Sequence, residues 1–138
     1  FSMVPLNLVG EGQSADYIIT GGWAQKALKE ARRVGTVNIA GSTESGNFAR
    51  IPRPDELTFT KDAAYVHVTT NNTLFGTEWT GEPAVGDVPL VADTSSDMFS
   101  RPIDVAAHDL IYAGALSDEL ALRRDIPPDL ALPERHGV

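Results

Sequence analysis

Apolar residues fall into short runs separated by turn-forming residues, not into long periodic stretches. Runs at 16–20 (DYIIT), 37–41 (VNIAG), 64–69 (AYVHVT), 88–93 (VPLVAD) and 110–115 (LIYAGA) have the length and composition of strands. Most are apolar at successive positions instead of alternating. That pattern belongs to strands covered on both faces, as in a parallel sheet. One segment is helical in period: Trp23, Ala27, Ala31 and Val34 share a face, and Lys26 and Glu30 are spaced as an i,i+4 pair. Strand, helix and strand from 16 to 41 therefore predict a βαβ unit with a right-handed crossover.

The connections at 42–62 and 70–87 lack helical period and are punctuated by Pro52, Pro54, Asn71, Asn72, Gly76, Gly81 and Pro83. Their length marks them as candidates for function. The opening FSMVPLNLVGEGQ has no basic leader, carries Pro5 within a short apolar run and does not begin with Met; it reads as the interior of a longer chain and not as a signal peptide. Beyond Ala115 the character changes: LSDELALRRDIPPDLALPERHGV is charged, rich in Leu and Ala and broken by prolines.

Composition narrows the function classes. The 138 residues are 42% hydrophobic, enough for one domain with a core. A net charge of -8 argues against nucleic acid or anionic lipid as partner, and no apolar stretch is long enough to span a membrane. With no cysteine there is neither disulfide nor thiolate metal site, which fits a reducing compartment. His67, His108 and His136 lack ligand spacing, so no metal centre is expected.

Several motif matches fail on context. Gly10 to Ala15 fits a dinucleotide fingerprint, but a strand follows where a helix is needed. Gly41 to Gly46 has phosphate-loop spacing with Asn47 at the lysine position. A Ser95, His67 and Asp93 triad could be assembled, but no nucleophile elbow supports it. What remains lies where open α/β sheets bind ligands, beyond the carboxyl ends of strands. Asp93 ends one strand, Thr73 lies just past another, and Trp23 follows a third through Gly21 and Gly22. An acid, a hydroxyl and a flat aromatic suit a planar heteroaromatic cofactor whose ring nitrogen stays protonated beside the carboxylate. Taken singly, the acid also reads as a turn residue, Thr73 as a loop residue and Trp23 as core.

The stretches ADYIITGGWAQKALKEARR, AAYVHVTTNNTLFGTEW and VPLVADTSSDMFSRPIDV, followed by LIYAGA, resemble the central large-domain segment of phosphoserine aminotransferases over residues 1–115. The resemblance implies an incomplete fold-type I large domain of the α/β class, with a mostly parallel sheet flanked by helices. It also implies a cytoplasmic homodimer that uses pyridoxal 5'-phosphate to interconvert 3-phosphohydroxypyruvate and glutamate with phosphoserine and 2-oxoglutarate. Position by position, Trp23 matches the tryptophan stacked on the pyridine ring and Thr73 the threonine on the 3-hydroxyl side. Asp93 matches the aspartate paired with the pyridinium nitrogen.

After Ala113-Gly114-Ala115 the family continues Gln-Lys-Asn, whereas this chain reads Leu116, Ser117, Asp118. Ser117 thus stands at the position of the lysine that forms the Schiff base, and no catalytic residue is expected in this chain. A synonymous codon choice for Glu119 to Arg123, read two bases later, gives Ile-Gly-Pro-Ala, the family's next motif in register. Residues 116–138 are accordingly read as an out-of-frame tail. The expectation is a phosphoserine aminotransferase segment inactive as written. The alternatives are a non-catalytic truncated chain or pseudoenzyme, or another fold-type I transaminase.

Overall fold

A computed structural model describes residues 1–114. Helix α1 (Met3–Leu8) leads to strand β1 (Ser14–Ile19), helix α2 (Gly22–Ala31) and strand β2 (Thr36–Ser42). Strands β3 (Val66–Thr69), β4 (Asn71–Asn72), β5 (Thr77–Glu78), β6 (Leu90–Asp93) and β7 (Leu110–Tyr112) follow. A five-stranded sheet has the order β2-β1-β3-β6-β7, and every pairing within it is parallel. β4 and β5 form a separate antiparallel hairpin. All the predicted strands lie in the five-stranded sheet, and β1, α2 and β2 make the predicted βαβ unit.

The uniformly apolar runs are explained by two cores, one on each face of the sheet. Tyr17, Ile19, Tyr65 and Val91 point to one side, under Ala24, Ala27, Leu28 and Ala31 of α2 and Val4 of α1. Ile18, Val66, Val68, Leu90 and Ala92 point to the other, where Trp79 is buried with them and Ile51, Leu57 and Phe59 pack against them. Helices therefore cover one face. Among the described residues, the other is covered by the irregular connections, whose length serves to cap the sheet. Buried side chains of this size each contribute about 1.5–3 kcal/mol.

Two local expectations change. α2 ends at Ala31, not Val34, because Arg33 and Val34 close tighter turns onto Glu30 and Ala31 carbonyls. Lys26 does not pair with Glu30: its ammonium sits 4.0 Å from the centre of the Trp23 ring, while Glu30 takes Arg33 at 3.0 Å. Two elements escaped the sequence pattern. α1 tolerates Pro5 because a first-turn proline gives up no helical hydrogen bond. The β4–β5 hairpin is too short to alternate, and Gly76 at its turn has φ 67°, a left-handed conformation that glycine adopts without strain.

His67 sits at the centre of the sheet, fully buried and stacked on Tyr17, its register partner on β1, at 4.6 Å and 15°. Its Nε2 bonds the Tyr112 hydroxyl at 2.8 Å. Burial lowers its pKa from 6.5 to about 3. Between those values the unfolded chain binds the proton and the folded chain does not, so stability falls as pH drops through that window. Urea midpoints should therefore fall between pH 7 and pH 4 more steeply for the wild type than for His67→Gln.

Met3, Leu74 and Phe99 are 71%, 78% and 95% exposed, and among the described residues no strand pairs with the outer edges of β2 and β7. Apolar patches and open parallel edges favour association. Sedimentation velocity should show the isolated chain as oligomer or aggregate; a monodisperse monomer with a sharp thermal transition would contradict this.

Candidate functional site at the carboxyl rim of the sheet

Parallel pairing brings the carboxyl ends of the strands to one rim. The chain passes from β1 to β2 on one side and returns to β3 on the other, so the strand order reverses between β1 and β3. A crevice at such a reversal is the usual ligand site of an open α/β sheet. A cavity of about 980 Å³ lies at this rim, lined by Trp23, Thr69, Thr73, Asp93, Ser95 and Tyr112, with α1 contributing Met3 and Val4. The three residues singled out from the sequence are thus brought together: Asp93 buried, Trp23 half-buried, Thr73 exposed.

Asn72, which sequence reasoning left as a loop residue, holds two of them in place. Its buried amide donates to Thr20 Oγ1 at 2.9 Å and accepts from the Ala24 amide at 3.3 Å, at the start of α2. A Cβ at Gly21 would stand 2.5 Å from the Asn72 side chain, so only glycine permits this approach. Thr77 Oγ1 adds a bond to the Thr20 carbonyl at 2.6 Å. Trp23 lies between the two contacts and Thr73 follows Asn72 itself, so one buried amide ties the two segments together.

The buried acids differ in how they are satisfied. Asp16 takes Thr60 Oγ1 and Asn38 Nδ2 on Oδ1 and the Thr60 amide on Oδ2. Asp97 takes Thr70 Oγ1 and lies 3.8 Å from Arg101. Asp93 receives the Ser95 amide at 3.0 Å and the Ser95 hydroxyl at 2.5 Å, both on Oδ1. Among the described residues its Oδ2 takes no hydrogen bond, and Asp93 lines the cavity. Burial pushes the Asp93 carboxyl above the usual carboxylate range; the Ser95 bonds oppose the rise, and Asp97 adds to it. A cation facing Oδ2 would offset that burial.

Other donors surround the acid. Thr69, the register partner of Asp93 on β3, has a buried hydroxyl with no partner among the described residues, and it lines the same cavity. A planar ring bearing a protonated nitrogen and polar substituents fits this set: acid, two free hydroxyls and an indole face. The Ser95–His67–Asp93 triad does not form, since the Ser95 hydroxyl donates to Asp93 and His67 Nε2 is engaged by Tyr112. Lys26 lies over Trp23 and is not among the residues lining the cavity. Ser117 and Leu116 lie outside the described residues.

No family model matches the chain. Over 115 residues it is 54% identical to the phosphoserine aminotransferase of Herpetosiphon aurantiacus, covering 83% of this chain and 32% of the relative. The phosphoserine aminotransferase of Desulfatibacillum aliphaticivorans is 55% identical over 116 residues, with the same coverage. Among solved structures, that of phosphoserine aminotransferase from Bacillus circulans subsp. alkalophilus superposes with a TM-score of 0.79 at 45% identity, covering 83% of this chain and 32% of that one. Pyridoxal-phosphate-bound phosphoserine aminotransferase from Trichomonas vaginalis gives 0.74 at 34% identity over the same shares. The chain is therefore homologous to a segment of phosphoserine aminotransferases and spans about a third of their length.

Replacing Asn72 by Ala strands the Thr20 hydroxyl and the Ala24 amide and should destabilise the chain by about 1–3 kcal/mol. Denaturant titration measures this. Fluorescence of Trp23 should become more accessible to a soluble quencher in the same variant, because the start of α2 loses its anchor.

Proposed function

We propose that residues 1–115 are the cofactor-ring half of a pyridoxal-phosphate site, in a segment of a phosphoserine aminotransferase. The observation that carries the reading is Asp93, a buried acid lining the cavity with Trp23 and Thr73, whose Oδ2 takes no hydrogen bond among the described residues. A buried carboxylate left unsatisfied costs stability unless something charged completes it. Homology to phosphoserine aminotransferases, one of them pyridoxal-phosphate-bound, supports the choice of group.

Each residue then has a physical task. Asp93 accepts a hydrogen bond from a protonated ring nitrogen at Oδ2 and stabilises its charge. Trp23 offers a flat apolar face and excludes water from one side of the ring. Thr73 supplies a hydroxyl on the 3-hydroxyl side, as the resemblance implies. When bound, pyridoxal phosphate supplies an electron sink for amino-group transfer. The reading brings with it phosphoserine, glutamate and 2-oxoglutarate as substrates, a homodimer and a cytoplasmic location.

Ser117 at the lysine position favours a second statement: this chain by itself binds the cofactor noncovalently and does not turn over. A hydroxyl cannot replace the amine that joins the cofactor aldehyde. Residues 116–138 are proposed to be a separate, out-of-frame tail.

Two measurements test the reading. Incubation with pyridoxal phosphate, borohydride reduction and peptide mass spectrometry should give only scattered trace label on Lys26, Lys29 or Lys61. Stoichiometric label on one lysine with phosphoserine-dependent turnover would overturn the second statement. A chimaera in which residues 1–115 replace the matching segment of the Herpetosiphon aurantiacus relative should be active. In it, Asp93→Asn should lower turnover by orders of magnitude, and Trp23→Phe more modestly. A folded, cofactor-loaded chimaera without transaminase activity, or equal small losses from both substitutions, would refute the assignment.

A further inference from the structure

Ser95 makes more of its hydroxyl than a turn requires. A serine hydroxyl has one proton to give and lone pairs to accept with. Here the proton goes to Asp93 Oδ1, and the Gly114 amide donates to the same oxygen atom of Ser95 at 2.8 Å. The Ser95 amide donates to Asp93 Oδ1 as well, closing a turn in which the side chain mimics a backbone acceptor. Thr94 binds in the same direction, its amide and hydroxyl both reaching the Tyr112 carbonyl at 2.9 and 3.2 Å. The segment from Asp93 to Ser95 is thereby laced to the end of β7.

We propose that Ser95 is a positioning residue for the cofactor: its hydroxyl clamps Asp93 Oδ1 to the Gly114 amide, so that Oδ2 alone is presented to the cavity and the end of β7 is held beside it. This rests on the reading of Asp93 as the partner of the ring nitrogen. With two donors on one oxygen, the carboxylate cannot rotate without breaking both bonds. An alanine would keep the backbone turn but lose the bridge to Gly114. Among the described residues, the charged and titratable groups around Asp93 are Asp97 on its own loop and Tyr112 on β7, with His67 on β3 bonded to Tyr112. Asp97 opposes the carboxylate, so the Ser95 donors are the main counterweight to its burial.

The test reads Asp93 directly, before any cofactor is added. In the full chain labelled with 13C at aspartate carboxyls, Asp93→Asn identifies the Asp93 resonance. Ser95→Ala should move its titration to higher pH and make the Gly114 amide exchange roughly tenfold faster, the size of one net hydrogen bond. Ser95→Thr should return both towards wild type. If alanine unfolds the chain, Ser95→Cys, which keeps the volume but donates weakly, reads the same quantities. An Asp93 titration and a Gly114 exchange rate untouched by loss of the hydroxyl would overturn the proposal. Pyridoxal phosphate is then added and its absorbance followed. Bands that change with both Asp93→Asn and Ser95→Ala support the positioning role. Should Ser95→Ala shift Asp93 while Asp93→Asn leaves those bands unchanged, the clamp exists but the ring-nitrogen reading falls, and the positioning role with it.

Discussion

Parallel pairing is the constraint on which the rest of this structure depends. In a parallel sheet each strand must be re-entered from the same end, so every carboxyl terminus arrives at one rim and every return path must cross a face. The return from β1 to β2 is helical; those from β2 to β3 and from β3 to β6 are irregular and cover the opposite face. The same geometry gathers Trp23, Thr73 and Asp93, which are far apart in sequence, around one cavity. Site and core are two consequences of a single pairing rule.

Within that frame, the rim is held by buried polar groups and not by apolar packing. Asn72 joins the loop after β3 to the start of α2, and Gly21 is small enough to let it in. On the neighbouring side, Arg101 binds the Trp79 carbonyl and lies near Asp97, which holds Thr70. Buried hydrogen bonds of this kind add modestly to net stability but are expensive to break. They therefore specify loop positions more sharply than an apolar contact of equal area would, and a site needing fixed distances is well served by them.

Asp93 stands apart from the other buried acids in how its oxygens are bonded. Asp16 is more deeply buried and has donors on both oxygens, as a structural acid should. Among the described residues, Asp93 has its donors on one oxygen and none on the other, while burial raises its affinity for a proton. A carboxylate held this way is stabilised by any cation that faces its open oxygen.

How much of this was legible beforehand can be argued residue by residue. Continuous apolar runs revealed buried parallel strands, because both faces of DYIIT and YVHVT must avoid water, and the period of Trp23 to Ala31 revealed α2. The acid at the end of VPLVAD was visible as an oddity, and its sequence resemblance supplied a role. The roles of Asn72, Thr69 and Ser95 were not visible, since an Asn, Thr or Ser in a loop has the same letters whether it faces water or bridges two strands. Nor could the Lys26–Glu30 spacing reveal that Lys26 would choose the Trp23 ring, because side-chain partners across elements are settled by proximity in space. Local pattern determined which segments became strands and helix, through burial and period. Tertiary structure alone decided which polar atoms were left unpaired, because hydrogen-bond satisfaction depends on groups brought together from distant parts of the chain.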